Sequence, residues 1–294
     1  MAAAISREEV QAIMTREAYV CDRSLVLAVF LALNLEKPLF LEGEAGVGKT
    51  EVAKVLARGL GARLIRLQCH EGLEANSALY EWNYPKQLLA LKSAEIRHDG
   101  RAPDIFTEEF LIRRPLLAAL DGENGPVVLL IDEIDRADEE FEAFLLEVLS
   151  DFTISIPELG TVTASQPPVV VLTSNRTREI HDALKRRCLY HWIDYPSPEK
   201  ELAIVAARLP EVPEKLAREI CAFMAKIRTM DFLKKPGAAE TLDWARALLL
   251  LGGDALDAQA VRDSMGCILK YEEDLRRLGD PAVLRALGCG AGPA

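Results

Sequence analysis

Apolar and polar residues change their period several times along this chain, and each change predicts an element. Ser6-Arg7-Glu8-Glu9 has the spacing of a capping box, which predicts a short helix reaching about Met14. Residues 22–35 form a long apolar helix, and Pro38-Leu39-Phe40-Leu41 then reads as a buried strand. Val52, Val55, Leu56 and Leu60 follow at helical spacing. The alternation in Arg63-Leu64-Ile65-Arg66-Leu67-Gln68-Cys69 predicts a second strand. Residues 70–103 are irregular, polar and aromatic (Tyr80, Trp82, Tyr84), with one helix near 87–96. An amphipathic helix over 110–120 carries Arg113 and Arg114.

Pro126 is followed by an unbroken apolar run, Val127-Val128-Leu129-Leu130-Ile131, which fits a strand buried on both faces in the middle of a parallel sheet. Phe141, Phe144, Leu145, Val148 and Leu149 mark one face of a helix. Residues 152–156 and 161–164 read as a small hairpin, and Pro168-Val169-Val170-Val171-Leu172-Thr173 as another buried strand. A short helix over 181–187 and a last strand over 189–195 end the alternation. Ser197 then has the place of an N-cap, with Pro198 at the first helical position. Beyond it no strand pattern occurs, and helices are expected near 198–207, 214–228, 240–251 and 257–278. The pattern predicts an α/β fold: a parallel five-stranded sheet between helices over residues 1–196, a smaller all-helical domain over 197–287, and a frayed tail over 288–294.

Composition narrows the setting. The formal net charge is −11 with no basic run, which argues against a large phosphate-backbone footprint and so disfavours nucleic acid as a partner. The six cysteines (Cys21, Cys69, Cys188, Cys221, Cys267, Cys289) form no C-x-x-C pair, a usage that suits reduced thiols in a cytosol. The four histidines are equally scattered, so no metal cluster is expected from them. The amino terminus lacks the basic and apolar regions of a secretory signal, and no apolar stretch approaches a bilayer span. A soluble, cytoplasmic protein is expected.

The chemistry is concentrated in Gly43-Glu44-Ala45-Gly46-Val47-Gly48-Lys49-Thr50-Glu51, between the first strand and its helix. This is a G-x-x-x-x-G-K-[ST] match in the strand–loop–helix setting that makes it a phosphate site. Glycines let successive N–H groups turn toward phosphate oxygens, and the helix N-terminus adds partial positive charge. Lys49 can neutralise the β- and γ-phosphates, and the Thr50 hydroxyl can ligate Mg²⁺. A nucleoside triphosphate is the expected ligand. Tyr19 or Val20, just ahead of the first strand, would flank its base or simply pack under the sheet.

Asp132 and Glu133 end the apolar strand, at the edge where open α/β sheets bind ligands. Asp132 is the candidate for holding Mg²⁺, and Glu133 for polarising the water that attacks the γ-phosphate. Asn175, at the end of the strand 168–173, would orient that water or form a turn. Trp82 and Tyr84 either present a partner-binding tip or anchor their loop to the body.

Taken together, Leu41-Glu42-Gly43-Glu44-Ala45-Gly46-Val47-Gly48-Lys49-Thr50, Ile131-Asp132-Glu133-Ile134-Asp135-Arg136-Ala137 and Asp182-Ala183-Leu184-Lys185-Arg186-Arg187-Cys188 resemble an AAA+ ATPase, more narrowly the MoxR branch. Residues 183–196 and Glu240-Thr241-Leu242-Asp243-Trp244-Ala245-Arg246 look most like its CoxD-type members, and the likeness runs from about residue 16 to 280. The resemblance implies an ATP- and Mg²⁺-dependent P-loop core with a helical lid, assembled as a homo-hexameric ring. It implies a von Willebrand factor A-domain partner and a metalloenzyme client such as a molybdenum hydroxylase of the CO dehydrogenase type. It makes Asn175 the sensor 1 residue and Arg187 the arginine finger toward a neighbouring subunit, with Arg186 as the other candidate. One departure stands out: where many members carry a sensor 2 arginine at the start of a lid helix, this chain has Ala238-Ala239-Glu240, and the nearest arginine is Arg246. An AAA+ loader or branch-migration motor acting on nucleic acid is the alternative class.

Overall fold

A computed structural model describes residues 5–97, 103–120, 125–252 and 255–288. Contacts divide the chain into two units, Met1–Ile13, Arg23–Glu42 and Ala53–His191 in one, and Met14–Asp22, Gly43–Val52 and Trp192–Ala294 in the other.

Among the described residues the first unit is organised on the strands β1 (Leu39–Gly43), β2 (Arg63–Gln68), β3 (Tyr80–Trp82), β4 (Leu111–Arg113), β5 (Val127–Asp132), β6 (Thr153–Ile156), β7 (Gly160–Thr163), β8 (Val169–Ser174) and β9 (Leu189–Ile193), with β1 and β9 ending in residues of the second unit. The main sheet has the order β2-β5-β8-β1-β9. Its β2–β5, β5–β8 and β8–β1 pairs are parallel. Every residue of β1 and β5 is buried, the consequence of helices covering both faces. Phe40, Leu129, Ile131 and Leu172 share one core with Phe141 and Leu145 of the helix Glu139–Asp151. Parallel pairing brings the C-terminal ends of β1, β5 and β8 to one edge, with Glu42 in register with Ser174, and Ile131 with Leu172. Asp132 and Thr173, at the ends of β5 and β8, lie at that edge.

The capping box at the amino end is present: the Ser6 N–H donates to Glu9 Oε2 (2.7 Å) and the Glu9 N–H to Ser6 Oγ (3.2 Å). The hairpin β6–β7 also forms where its pattern placed it. Two helix expectations need correction. Residues 110–120 are not one helix: β4 pairs antiparallel with β3, and the helix Pro115–Leu120 begins only afterwards. Pro115 disfavours helical backbone at Arg114, so the chain leaves β4 in extended form before turning. Arg113 therefore lies on a strand, and Arg114 ahead of the helix. Trp82 is buried on β3 against the Phe106 ring (centroids 5.3 Å apart), whereas Tyr84 opens the helix Tyr84–Arg97 and is exposed. Of the two aromatics, Trp82 anchors its loop.

The second unit contains the helices Pro198–Arg208, Glu214–Thr229, Ala238–Leu250, Ala258–Ser264, Glu272–Gly279 and Pro281–Ala286. The helix expected over 257–278 is divided by a 3₁₀ turn at Met265–Cys267, where the Ser264 hydroxyl bonds back to the Ala260 carbonyl (2.5 Å) and Gly266 weakens helical propagation. Trp244 is at the centre of this unit's core, its ring 5.1 Å from that of Phe223 and its indole N–H donating to Ser264 Oγ (2.7 Å). Apart from Gly288, the expected tail over 288–294, with Cys289, lies outside the described residues.

Candidate active site

In the first unit, the end of β5 is a hydrogen-bonded acidic cluster. Asp132 is only 2% exposed. Its Oδ1 accepts from the Thr173 hydroxyl on β8 (2.5 Å), and its Oδ2 from Arg66 Nε on β2 (3.0 Å) and from the same guanidinium's terminal nitrogen. Thr173 serves both acidic residues, because its oxygen also accepts the Glu133 N–H (3.0 Å). Glu133 adopts φ +55°, a left-handed backbone that costs a non-glycine residue on the order of 1 kcal/mol. The turn directs its carboxylate toward the Gln68 amide, whose Nε2 donates to Glu133 Oε2 (3.1 Å). Arg66 in turn donates to Gln68 Oε1, so one arginine links both branches.

Next to this cluster, buried Asp135 holds the turn after β8. It accepts from the Asn175 N–H (3.2 Å), the Thr177 N–H (2.9 Å) and the Thr177 hydroxyl (2.7 Å). Asn175 is therefore fixed through its backbone and half-buried. Glu42, at the end of β1, accepts from the Tyr190 hydroxyl (2.9 Å) and from Ser174 Oγ (3.4 Å), which ties β1 to its neighbours at the same edge. Burial, with Asp132, Asp135 and Glu133 adding to it, pushes the Cys69 thiol up to about 12. This cysteine is inert packing beneath the carboxylates.

In the second unit, Glu44 to Gly48 form a loop whose Gly46 and Gly48 take φ of +77° and +96°. The helix Lys49–Gly59 begins at the motif lysine, so the loop's N–H groups and the helix N-terminus coincide. Lys49 is 6% exposed and its Nζ donates to the carbonyl oxygens of Gly43 (2.8 Å) and Glu44 (2.6 Å). These bonds hold the ammonium against the loop that would carry the phosphates. The Tyr19 hydroxyl donates to the Gly48 carbonyl (3.4 Å), and its phenol is pushed far up, first by burial. Val47 is buried, while Glu44 and Ala45 line the outer part of the loop. Glu51 accepts from Arg208 (3.0 Å), the last residue of the helix Pro198–Arg208. The start of the helix Ala238–Leu250 rests on the same loop: the Ala239 N–H donates to the Gly46 carbonyl (3.0 Å), and Glu240 Oε2 accepts the Gly237 N–H (2.9 Å).

A family model described as AAA domain (dynein-related subfamily) matches residues 38–188, just over half of the 294-residue chain. The chain belongs to this AAA family. At that level it is an ATPase. It is 30% identical over 206 residues to the chaperone MoxR1 of Mycobacterium tuberculosis, covering 67% of this chain and 45% of that protein. An uncharacterized protein of Staphylococcus epidermidis is 25% identical over 261 residues, covering 86% of this chain and 90% of its own length. Among solved structures, the RuvB Holliday junction branch migration motor of Thermotoga maritima covers 97% of this chain and 82% of its own at 18% identity, with a TM-score of 0.47.

Arg186 and Arg187 end the helix Asp182–Arg187, both exposed and without a hydrogen-bond or ion-pair partner among the described residues. Arg246 is exposed and paired with Asp243 (3.4 Å), so it makes none of the contacts to the loop that Ala239 makes. No group of three or more histidine, cysteine or acidic residues arranged to hold a metal occurs among the described residues. Thr50 and Asp132 each offer an oxygen donor, the kind of ligand a hard cation such as Mg²⁺ takes. No helix of the described residues is long and apolar enough to cross a membrane.

Sequence reading missed Arg66, Gln68, Thr173 and Gly237. Arg66 and Gln68 did carry a signal, since residues two apart on a strand share a face.

Proposed function

We propose that this chain hydrolyses ATP in order to remodel a protein client, as a chaperone of the MoxR type. The observation that carries the reading is the presence, on one AAA chain, of a glycine loop gripping Lys49 and a buried Asp132 followed by Glu133 at the end of β5. The loop from Gly43 to Glu51 binds the phosphates, and Lys49 neutralises them. Thr50 and Asp132 hold Mg²⁺, which when bound offsets phosphate charge and helps align the reacting oxygens. Glu133 accepts the proton of the attacking water, and Asn175 orients that water. A MoxR-type role is supported by the similarity to MoxR1. On that reading the chain forms a homo-hexameric ring in the cytoplasm, with Arg187, or else Arg186, acting on the neighbour's γ-phosphate. A von Willebrand factor A-domain protein is its partner and a metalloenzyme its client, with a CoxD-type role on a molybdenum hydroxylase.

The test is a pair of variants. Lys49→Ala abolishes nucleotide binding, because the phosphates lose their main countercharge. Glu133→Gln binds ATP and retains it, because only the acceptor for the water proton is gone. Turnover by Glu133→Gln near the wild-type rate would overturn the base assignment. ATPase activity stimulated by DNA in a salt-dependent way would instead favour a nucleic-acid motor.

A further inference from the structure

The buried metal-site carboxylate already has a resident cation. Both oxygens of Asp132 are engaged: Oδ1 by the Thr173 hydroxyl (2.5 Å) and Oδ2 by Arg66 Nε at 3.0 Å plus a second guanidinium nitrogen. The two partners differ greatly in exposure, the Asp132 side chain at 3% and Arg66 at 51%. A buried carboxylate without a partner carries a heavy desolvation cost, which the guanidinium offsets at Asp132. Arg66 lies on β2, in register with Leu130, while Gln68 is in register with Asp132 itself. Residues two apart on a strand share a face, so Arg66 and Gln68 project together over the end of β5, and Arg66 also donates to Gln68.

We propose that Arg66 is a displaceable counter-ion for Asp132. It holds Oδ2 here, and the exposed guanidinium would swing out to water where Asp132 serves a divalent cation bound with the nucleotide. Arg66 is then a positioning residue that sets the Mg²⁺ requirement: it keeps Asp132 oriented, and it competes for the oxygen the metal needs. Thr173 is not exchanged, because it donates to the other oxygen and keeps the carboxylate plane fixed. The proposal rests on the reading of Asp132 as a metal residue.

Arg66→Gln, Arg66→Lys and Asp132→Asn are compared with the wild-type protein in two measurements. One is binding of a fluorescent ATP analogue as Mg²⁺ is titrated, and the other is the nucleotide-free melting temperature. Arg66→Gln lowers the Mg²⁺ concentration for half-maximal binding by about fivefold, the factor that a half-exposed ion pair is worth at most. It also lowers the metal-free melting temperature, and Mg²⁺ with nucleotide restores part of that loss. Arg66→Lys falls between the two, because the charge remains but the two-nitrogen grip does not. If Asp132→Asn raises the Mg²⁺ requirement while both Arg66 variants leave it unchanged or raise it, the counter-ion proposal is overturned and the metal reading stands. If Asp132→Asn itself leaves the requirement unchanged, the metal reading falls and the proposal with it.

Discussion

Gly46 and Gly237 meet backbone to backbone, so closely that a Cβ on Gly237 would lie 2.7 Å from the Gly46 carbonyl carbon and 2.7 Å from the Ala45 carbonyl oxygen. A Cβ on Gly46 would in turn lie 2.5 Å from Glu240 Oε2. With the Ala239 N–H on the Gly46 carbonyl, the glycine loop and the start of the helix Ala238–Leu250 form one joint within the second unit. The family pattern would have an arginine reach from such a helix toward nucleotide. Here Ala238-Ala239-Glu240 holds that place, and the contact with the loop is the Ala239 N–H on the Gly46 carbonyl.

Gly237→Ala should therefore impair nucleotide handling more than it impairs folding. The added methyl meets backbone, which cannot yield as a flexible side chain would, so the loop shifts by a few tenths of an ångström or more. Overpacking of this kind costs about 1–3 kcal/mol of stability. Displacing a phosphate-positioning loop is expected to cost on the order of 10- to 100-fold in kcat/KM. Thermal melting and steady-state ATPase assays check the two together. A variant with unchanged kcat/KM would show that the joint is not coupled to turnover.

A second prediction concerns what holds Gly237 in place. Arg228 donates through Nε to the Pro236 carbonyl (2.8 Å) and bidentately to Glu201 (2.7 and 2.6 Å), all of it buried. Thr241 donates to Glu201 as well, and the Arg228 guanidinium lies over the Tyr195 ring at 5.3 Å. Removing one partner leaves the other charge buried and uncompensated, which typically costs about 3–5 kcal/mol. Arg228→Met and Glu201→Gln should each destabilise the protein by roughly that amount in chemical denaturation. The double variant should lose less than the sum of the two, because neither charge is then orphaned.

Cysteines supply a pH prediction. Burial pushes the Cys69 and Cys221 thiols up to about 12, from an ordinary value of 9.0. Each stays protonated in the fold while the unfolded chain would ionise it, so their contribution to stability is complete below about pH 9 and is lost as pH rises toward 12. At pH 8, mass-spectrometric mapping of iodoacetamide labelling should find Cys69 and Cys221 unmodified until denaturant is added. Ready labelling of Cys69 in the native protein would mean that the strand end beneath Asp132 opens.

How much of this was legible in the sequence depends on where each interaction lies along the chain. The glycine loop and the carboxylates of β5 carry their chemistry in consecutive residues, and the unbroken run Val127 to Ile131 announces a strand buried on both faces. The Arg66–Asp132 pair spans 66 residues, so only the shared face of Arg66 and Gln68 was available as a hint. The joint at Gly46 is made by backbone atoms and leaves no side-chain pattern, only the small residues Gly237-Ala238-Ala239. Residues 110–120 misled because Leu116, Leu117 and Leu120 extend an apolar spacing that begins on β4, although Pro115 separates the two elements.

The sharpest prediction needs a residue to act across a subunit boundary. Arg187 is exposed at the end of the helix between β8 and β9, and no carboxylate among the described residues pairs with it. A guanidinium that meets only a neighbour's γ-phosphate would stabilise mainly the transition state, lowering turnover with little change in ATP binding. Arg187→Ala is accordingly expected to bind ATP about as well as the wild type and to lose about 10³-fold or more in turnover, the range such fingers are worth. Mixing Arg187→Ala subunits with Glu133→Gln subunits decides whether the residue acts in trans. Each variant alone should be nearly inactive, but some mixed interfaces unite an intact Glu133 with an intact Arg187 from the next subunit. Partial recovery on mixing is the expected result. No recovery, with mixed assemblies confirmed by native mass spectrometry, would remove Arg187 from the role and leave Arg186, one residue earlier on the same helix, to be tested in its place.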